Sequence, residues 1–167
     1  MDRAITTPRL VAIAIGSNLG DRHAALQFAI GRQASLLTSF ATSSIIETEP
    51  ESPDGEVLPN QPAYLNAAVS GTTTLDARTL LDRLLAIERD YGRERPFPGA
   101  ARTLDLDLVL LGDEVIDEPG LQVPHPRFRD RFFVLGPLAE IAPAMVDPVT
   151  GRRVGELLVR LLRNEQR

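Results

Sequence analysis

The chain has 167 residues, 43% of them hydrophobic and 25% charged, with a formal net charge of −5. That size suits a single domain over residues 1–167 with a sizeable core, and the acidic balance argues against nucleic-acid binding, which depends on a basic surface. The lack of cysteine excludes disulfides, thiolate metal sites and cysteine nucleophiles. No apolar run is long enough to span a bilayer and no signal-like stretch follows the N-terminus, so a cytoplasmic protein is expected. Every basic residue apart from the two histidines is arginine, which removes a P-loop lysine, Schiff-base chemistry and a lysine general base.

In chain order, Leu10 to Ile15 is a short apolar run that fits a buried strand. Gly16-Ser17-Asn18-Leu19-Gly20-Asp21 follows and supplies turn chemistry, either as a tight strand-to-helix turn capped by Asn18 or Asp21 or as a phosphate-binding turn. A helix is expected from about Arg22 to Leu37, with Leu26, Ala29, Ile30 and Leu37 on its apolar side. Ser39 to Thr48, rich in Ser, Thr and Ile, reads as a second strand. Glu49 to Gln61 holds three prolines and an Asp-Gly pair and reads as a long loop, either a lid or a surface excursion.

Tyr64 to Thr73 is the third strand. Its alternation puts Leu65, Ala67 and Val69 on one face and Tyr64, Asn66 and Ala68 on the other. An aromatic ring beside an amide suits a flat heterocycle, although ordinary strand surface looks the same. Leu75 to Tyr91 is the clearest helix, with Gly92 as its C-terminal cap and a stripe of Leu81, Leu84, Leu85 and Tyr91. Glu88 lies in the register of that stripe, either at its rim or paired with an arginine. Arg93 to Ala101 reads as a loop carrying Arg93 and Arg95.

That loop leads into the stretch that organises the chain, Arg102 to Leu111. Residues two apart on a strand share a face, so Asp105 and Asp107 stand side by side, while Leu104, Leu106, Leu108 and Leu110 point the other way. Two negative charges on one sheet face repel, so something positive should sit over them. Arginine salt bridges meet that need, and so do one or two Mg²⁺ ions, hard cations that take carboxylate oxygens and arrive with phosphates. A short Val115-Ile116 segment and a loop follow. His125, held between two prolines, then stands ahead of Arg127, Arg129 and Arg131, an alternation that suits a phosphate contact. Val134 to Ile141 reads as a helix or turn packed on the core, and Val154 to Arg163 as a terminal helix.

Strand, helix, strand, strand, helix, strand and a helical tail make an α+β, ferredoxin-like β-α-β-β-α-β sandwich with a C-terminal helical extension. Helices should cover the face made by Leu65, Ala67, Leu104 and Leu106. Tyr64, Asn66, Asp105 and Asp107 should share the opposite face.

On these residues the chain resembles the 6-hydroxymethyl-7,8-dihydropterin pyrophosphokinases of the folate pathway. The resemblance rests on Ala14 to Gly20, Tyr64 to Ala67, Arg102 to Asp107, Val123-Pro124-His125, Arg131 to Leu135 and Pro137-Leu138. It implies an ATP- and Mg²⁺-dependent enzyme that attacks the β-phosphorus of ATP with a pterin alcohol and releases AMP. Asp105 and Asp107 would hold two Mg²⁺ ions, and Arg93 and Arg102 would contact the transferring phosphates. Tyr64 and Phe133 would sandwich the pterin, with Asn66 and Thr48 at its edges. Glu88, Arg95, Leu108, His125 and Arg131 would serve ATP. A monomer is expected, with no nucleic-acid or membrane partner. The chain departs from the resemblance at Pro98-Gly99-Ala100-Ala101-Arg102, where family members often carry a tryptophan and a Pro-Arg pair. Two other classes fit the same residues: a metal-dependent nucleotidyltransferase or cyclase, and a non-catalytic ligand-binding module with salt-bridged aspartates.

Overall fold

The structure is a computed structural model and describes residues 7–18, 20–49, 63–93 and 104–165. The expectations placed on Leu19, on most of the 49–61 loop and on Arg95 and Arg102 lie outside the described residues, as does the side chain of Arg93.

The main sheet is formed by β1 (Arg9–Ser17), β2 (Thr38–Thr42), β3 (Ile46–Thr48), β4 (Tyr64–Thr73) and β5 (Asp105–Leu111). Strands β2, β4, β1 and β5 lie side by side in that order, β3 continues alongside β4, and every pairing is antiparallel. Helix α1 (Arg22–Ala34) links β1 to β2, and α2 (Ala77–Arg93) links β4 to β5, so the expected β-α-β-β-α-β order is present. Each helix starts on an aspartate. The Asp21 carboxylate accepts from the Ala24 amide at 3.0 Å and that of Asp76 from the Thr79 amide at 2.7 Å, satisfying donors that a helix start leaves open.

Helices α1 and α2 bury Ala25, Leu26, Ala29, Leu80, Leu84 and Ile87 against Val11, Ile13, Ile15, Leu65, Ala67, Val69, Leu104, Leu106 and Leu108. The alternation of β4 is therefore as expected. The buried stripe of α2 is Ala77, Leu80, Leu84 and Ile87, whereas Leu85, expected inside, is exposed. Helix α1 ends at Ala34, short of Leu37, and Gly92 lies within α2 instead of capping it. The expected strand over Ser39 to Thr48 is broken at Ser43–Ile45, where the Ser43 hydroxyl accepts from the Ala68 amide at 2.8 Å and the Ser44 amide donates to Glu140 at 2.8 Å.

Part of the opposite sheet face packs against two further helices. Helices α3 (Phe132–Ile141) and α4 (Val154–Glu165) form a third layer. Val134, Leu135, Leu138, Val154 and Leu157 pack there on Ala12, Ala14 and Ala68, whose small side chains let the helices come close, and on Val109 and Leu110. Leu110 was expected on the α1–α2 side with Leu104, Leu106 and Leu108. A register shift moves it: Ile13 opposes Leu108, Ala12 opposes Leu110, and Val109 is the extra residue of a bulge. One inserted residue reverses the facing of all that follow, so β5 serves both cores. A small hairpin, β6 (Ile116–Glu118) and β7 (Leu121–Val123), turns at Pro119-Gly120, where Gly120 takes a φ of 76°.

Candidate functional site

Beyond α3 and α4, that second face carries a row of polar side chains among the described residues. Antiparallel register sets Ile46, Asn66, Gly16 and Asp105 in one row across β3, β4, β1 and β5. Residues directly opposite share a face, so Asn66 and Asp105 flank Gly16, with their strands roughly 10 Å apart across β1. Gly16 contributes no side chain, which leaves a hollow between amide and carboxylate. A Cβ there would stand 3.4 Å from Asn66 Oδ1 and 3.9 Å from Tyr64 Cδ1, so these two side chains form one wall of the hollow.

Asn66 is only 4% exposed, and its Nδ2 donates to Thr48 Oγ1 at 2.7 Å. Thr48 sits opposite Tyr64 in the β3–β4 pairing. Thr48, Tyr64 and Asn66, expected to act together, are thus brought together, and among the described residues Thr48 is the hydrogen-bond partner of the Asn66 side chain.

Asp105 is half-buried and Asp107 exposed, two residues apart along the edge strand β5. Between them the Leu106 amide faces out of the sheet and donates to Glu88 Oε2 at 2.7 Å. Glu88 therefore ties α2 to the strand between the two aspartates. Leu108, two residues further, has its main chain on the same outer edge. Asp107 and Leu108 line a cavity of about 620 Å³ together with Leu81, the β6–β7 hairpin, His125 and Pro126. That volume is in the range of small-molecule sites. The sequence pattern suggests only a short segment and a loop where this hairpin stands. Leu121 and Val123, buried on either side of exposed Gln122, were the signal that could have revealed it.

His125 is held from both sides. Its amide donates to the Val109 carbonyl at 2.9 Å, at the bulge of β5, and its Nδ1 accepts from the Arg127 amide at 3.1 Å. With Nδ1 an acceptor, the neutral ring carries its proton on Nε2, which remains a donor. Burial pushes the imidazole below its ordinary pKa. Asp107 pulls it up, and Arg131 and Arg127 push it down, so the net direction is towards the neutral form.

Arg131 lies with its guanidinium 5.5 Å from the centre of the Phe133 ring, at the start of α3, and Phe133 is exposed. Arg129 does not join this group. Its Nε and Nη2 donate to the buried Asp147 at 2.6 and 3.0 Å, so the run of alternating arginines does not present all three to a phosphate.

Two oxygen donors two residues apart on a strand, Asp107 at the lip of the cavity and Asp105 beside it, fit a hard divalent cation that brings further oxygen ligands with it. Among the described residues no group of three or more His, Cys, Asp or Glu side chains could hold a metal unaided. None of the described helices is long and apolar enough to cross a membrane.

These features define an α+β sandwich with a polar hollow on one side of β1 and an acidic strand beside a cavity of about 620 Å³ on the other. The model of the 7,8-dihydro-6-hydroxymethylpterin-pyrophosphokinase (HPPK) family matches residues 12–143, and the chain belongs to that family. It is 38% identical over 151 residues to the 2-amino-4-hydroxy-6-hydroxymethyldihydropteridine pyrophosphokinase of Bacillus subtilis, covering 89% of this chain and 87% of that one. It is likewise 38% identical to the Pseudomonas aeruginosa protein of that name, with 89% of each chain covered. The Synechocystis protein of the same name is 46% identical over 100 residues, and that match spans about half its length, 51%. Among solved structures, wild-type Plasmodium falciparum HPPK-DHPS with SDX-DHP superposes with a TM-score of 0.73 at 15% identity. That match covers 98% of this chain and 47% of the Plasmodium one, and shows the same fold.

Proposed function

We propose that the protein transfers the diphosphoryl group of ATP to the hydroxymethyl group of 6-hydroxymethyl-7,8-dihydropterin and releases AMP, a step of folate biosynthesis. The observation that carries this reading is the family match over residues 12–143, which spans both the hollow and the acidic strand. The pterin ring lies over Gly16 between Tyr64 and Phe133, with Asn66 and Thr48 at its polar edge. Asn66 supports this role because it is buried, bonded to Thr48, and carries both donor and acceptor groups in its amide.

ATP occupies the cavity beside β5. Its nucleoside end lies along Leu108 and the hairpin, and its phosphates run towards Asp105, Asp107, His125 and Arg131. Glu88 serves ATP by fixing the strand that carries the aspartates. Arg93, Arg95 and Arg102 complete the grip on the phosphates. Asp105 and Asp107 would hold two Mg²⁺ ions arriving with ATP. Bound there, they would neutralise charge developing on the attacking and leaving oxygens.

The hydroxymethyl oxygen forms its new bond to the β-phosphorus, the bond from β-phosphorus to the α–β bridging oxygen breaks, and that electron pair leaves on AMP. The hydroxyl proton passes to solvent. His125 donates from Nε2 to a phosphate oxygen, and the arginines supply the remaining positive charge. The site acts mainly by positioning and electrostatics, which suits a phosphoryl transfer. The working unit is one pyrophosphokinase domain over residues 1–167, a cytoplasmic monomer.

The test is to incubate the protein with ATP, Mg²⁺ and the pterin alcohol, and to identify the nucleotide product. AMP should form one for one with the diphosphorylated pterin, and only with Mg²⁺ present. Stoichiometric ADP would mean attack at the γ-phosphorus, and pyrophosphate attack at the α-phosphorus. Either would overturn the proposal.

A further inference from the structure

We infer that Arg129 and Asp147 form a positioning pair that sets the His125–Arg131 segment for the nucleotide phosphates. The inference rests on the reading above that His125 and Arg131 contact those phosphates.

The segment between β7 and α3 is anchored at its start, where the His125 amide reaches the Val109 carbonyl at 2.9 Å and His125 Nδ1 accepts from the Arg127 amide at 3.1 Å, and the Asp130 amide closes on the Arg127 carbonyl at 3.1 Å. It contains a single 3-10 turn, Phe128–Asp130, and the amides of Phe128 and Arg131 reach the carbonyls of His125 and Phe128 at 3.4 Å each. Bonds that long are weak. The segment's later residues are also held by side chains that pack away from the cavity. Phe128 is fully buried in the α3–α4 core, and the Arg129 guanidinium lies 4.7 Å from the centre of its ring.

Asp147 is the stronger anchor. It is 0% exposed and accepts four hydrogen bonds. Oδ2 takes Arg129 Nε at 2.6 Å and Thr150 Oγ1 at 2.8 Å, and Oδ1 takes Arg129 Nη2 at 3.0 Å and the Val149 amide at 3.0 Å. A two-pronged arginine–carboxylate contact fixes direction as well as distance. Its far end is rigid too. The Asp147 amide donates to the Arg152 carbonyl at 2.8 Å and the Gly151 amide to the Asp147 carbonyl at 2.8 Å, so the carboxylate stands on a closed turn. Arg129 thus clamps the backbone two residues before Arg131 and four after His125 to the α3–α4 layer. Of this segment His125 and Pro126 line the cavity, while Arg129 and Asp147 stand outside it, as does Arg131 beside Phe133. An arginine that looks like a third phosphate ligand acts through its neighbours.

The test is a double-mutant cycle read by binding, so that loss of turnover does not hide it. Affinities for α,β-methylene-ATP with Mg²⁺ and for the pterin alcohol are measured in wild type, Asp147→Asn, Arg131→Ala and the double variant, with melting temperatures alongside. Asp147→Asn should weaken the nucleotide roughly tenfold, since misplacement of a binding group by about 1 Å is costly, and leave the pterin within about twofold. In the Arg131→Ala background the same change should cost the nucleotide less than about threefold, because most of what it positions is gone. Arg129→Met reads the same pair from its more exposed partner should Asp147→Asn fail to fold, and Arg129→Lys should recover part of the affinity. An equal loss in both backgrounds, or an equal loss for pterin and nucleotide, overturns the positioning role while leaving the site reading intact. Unchanged nucleotide affinity in Arg131→Ala alone would instead overturn the site reading itself.

Discussion

Replacing Gly16 with alanine should move stability and ligand binding in opposite directions. Gly16 lies mid-row between Asn66 and Asp105, in extended backbone that any residue can adopt. The added methyl would stand 3.4 Å from Asn66 Oδ1 and 3.9 Å from Tyr64 Cδ1, ordinary contact distances that require no repacking. Removing a glycine from a strand lowers the entropy of the unfolded chain and should stabilise by about 0.5–1 kcal/mol. For a chain of this size that is a rise of about 1–4 °C in melting temperature. The same methyl fills the hollow and shields Asn66 Oδ1 from a ring lying above it. Losing that contact should cost about 1–3 kcal/mol, or roughly 5- to 150-fold in pterin affinity. Calorimetric melting checks the first effect, and titration with the pterin alcohol and with α,β-methylene-ATP checks the second. Nucleotide affinity should stay within about twofold, since the cavity that receives it lies beyond β5. Unchanged pterin affinity would refute the placement of the ring over Gly16. A large fall in melting temperature would refute the contact argument.

Asp105→Ala and Asp107→Ala should each cut turnover by orders of magnitude while leaving the circular dichroism spectrum unchanged, because like-charge repulsion on the strand is relieved; near-normal rates in both would end the metal reading. Glu88→Ala orphans the Leu106 amide and should destabilise by about 1.5–3 kcal/mol, whereas Glu88→Gln keeps an acceptor and should recover at least half of that in urea denaturation. Equal losses would show that the Leu106 contact does not hold the edge strand. Asp147 gives a pH signature. Burial alone would raise its pKa, but hydrogen bonds from Arg129, Thr150 and Val149, with the Arg129 charge, hold it below the usual carboxylate range. With a folded pKa below the unfolded value of about 3.9, its stabilisation is complete above that value and fades as pH falls through the folded pKa. The stability gap between wild type and Asp147→Asn should therefore be wide at pH 7 and shrink steadily below about pH 4; a gap independent of pH would contradict this.

Local periodicity was enough to read much of the site. Side chains of a strand alternate whatever the strand pairs with, so the spacing of Tyr64 and Asn66, and of Asp105 and Asp107, already placed each pair on one face. The same rule put Leu65, Ala67, Leu104 and Leu106 on the other, and the turn and cap residues at Asp21 bounded the first helix. The short motifs around them also carried the family, because they name residue types in a fixed order along the chain. Three-dimensional pairing decided what no local pattern encodes. The bulge at Val109 depends on the register of β5 against β1, and it turned Leu110 towards a second layer of helices that the strand pattern had left undescribed. Arg127, Arg129 and Arg131 are equivalent in sequence. The buried carboxylate of Asp147, eighteen positions beyond Arg129, takes Arg129 as its partner, and that choice follows from contacts between distant segments. By its sequence Gly16 belongs to a turn-forming run. It becomes the floor of the hollow because β4 and β5, separated from it by 50 and 89 residues at Asn66 and Asp105, lie on either side of β1.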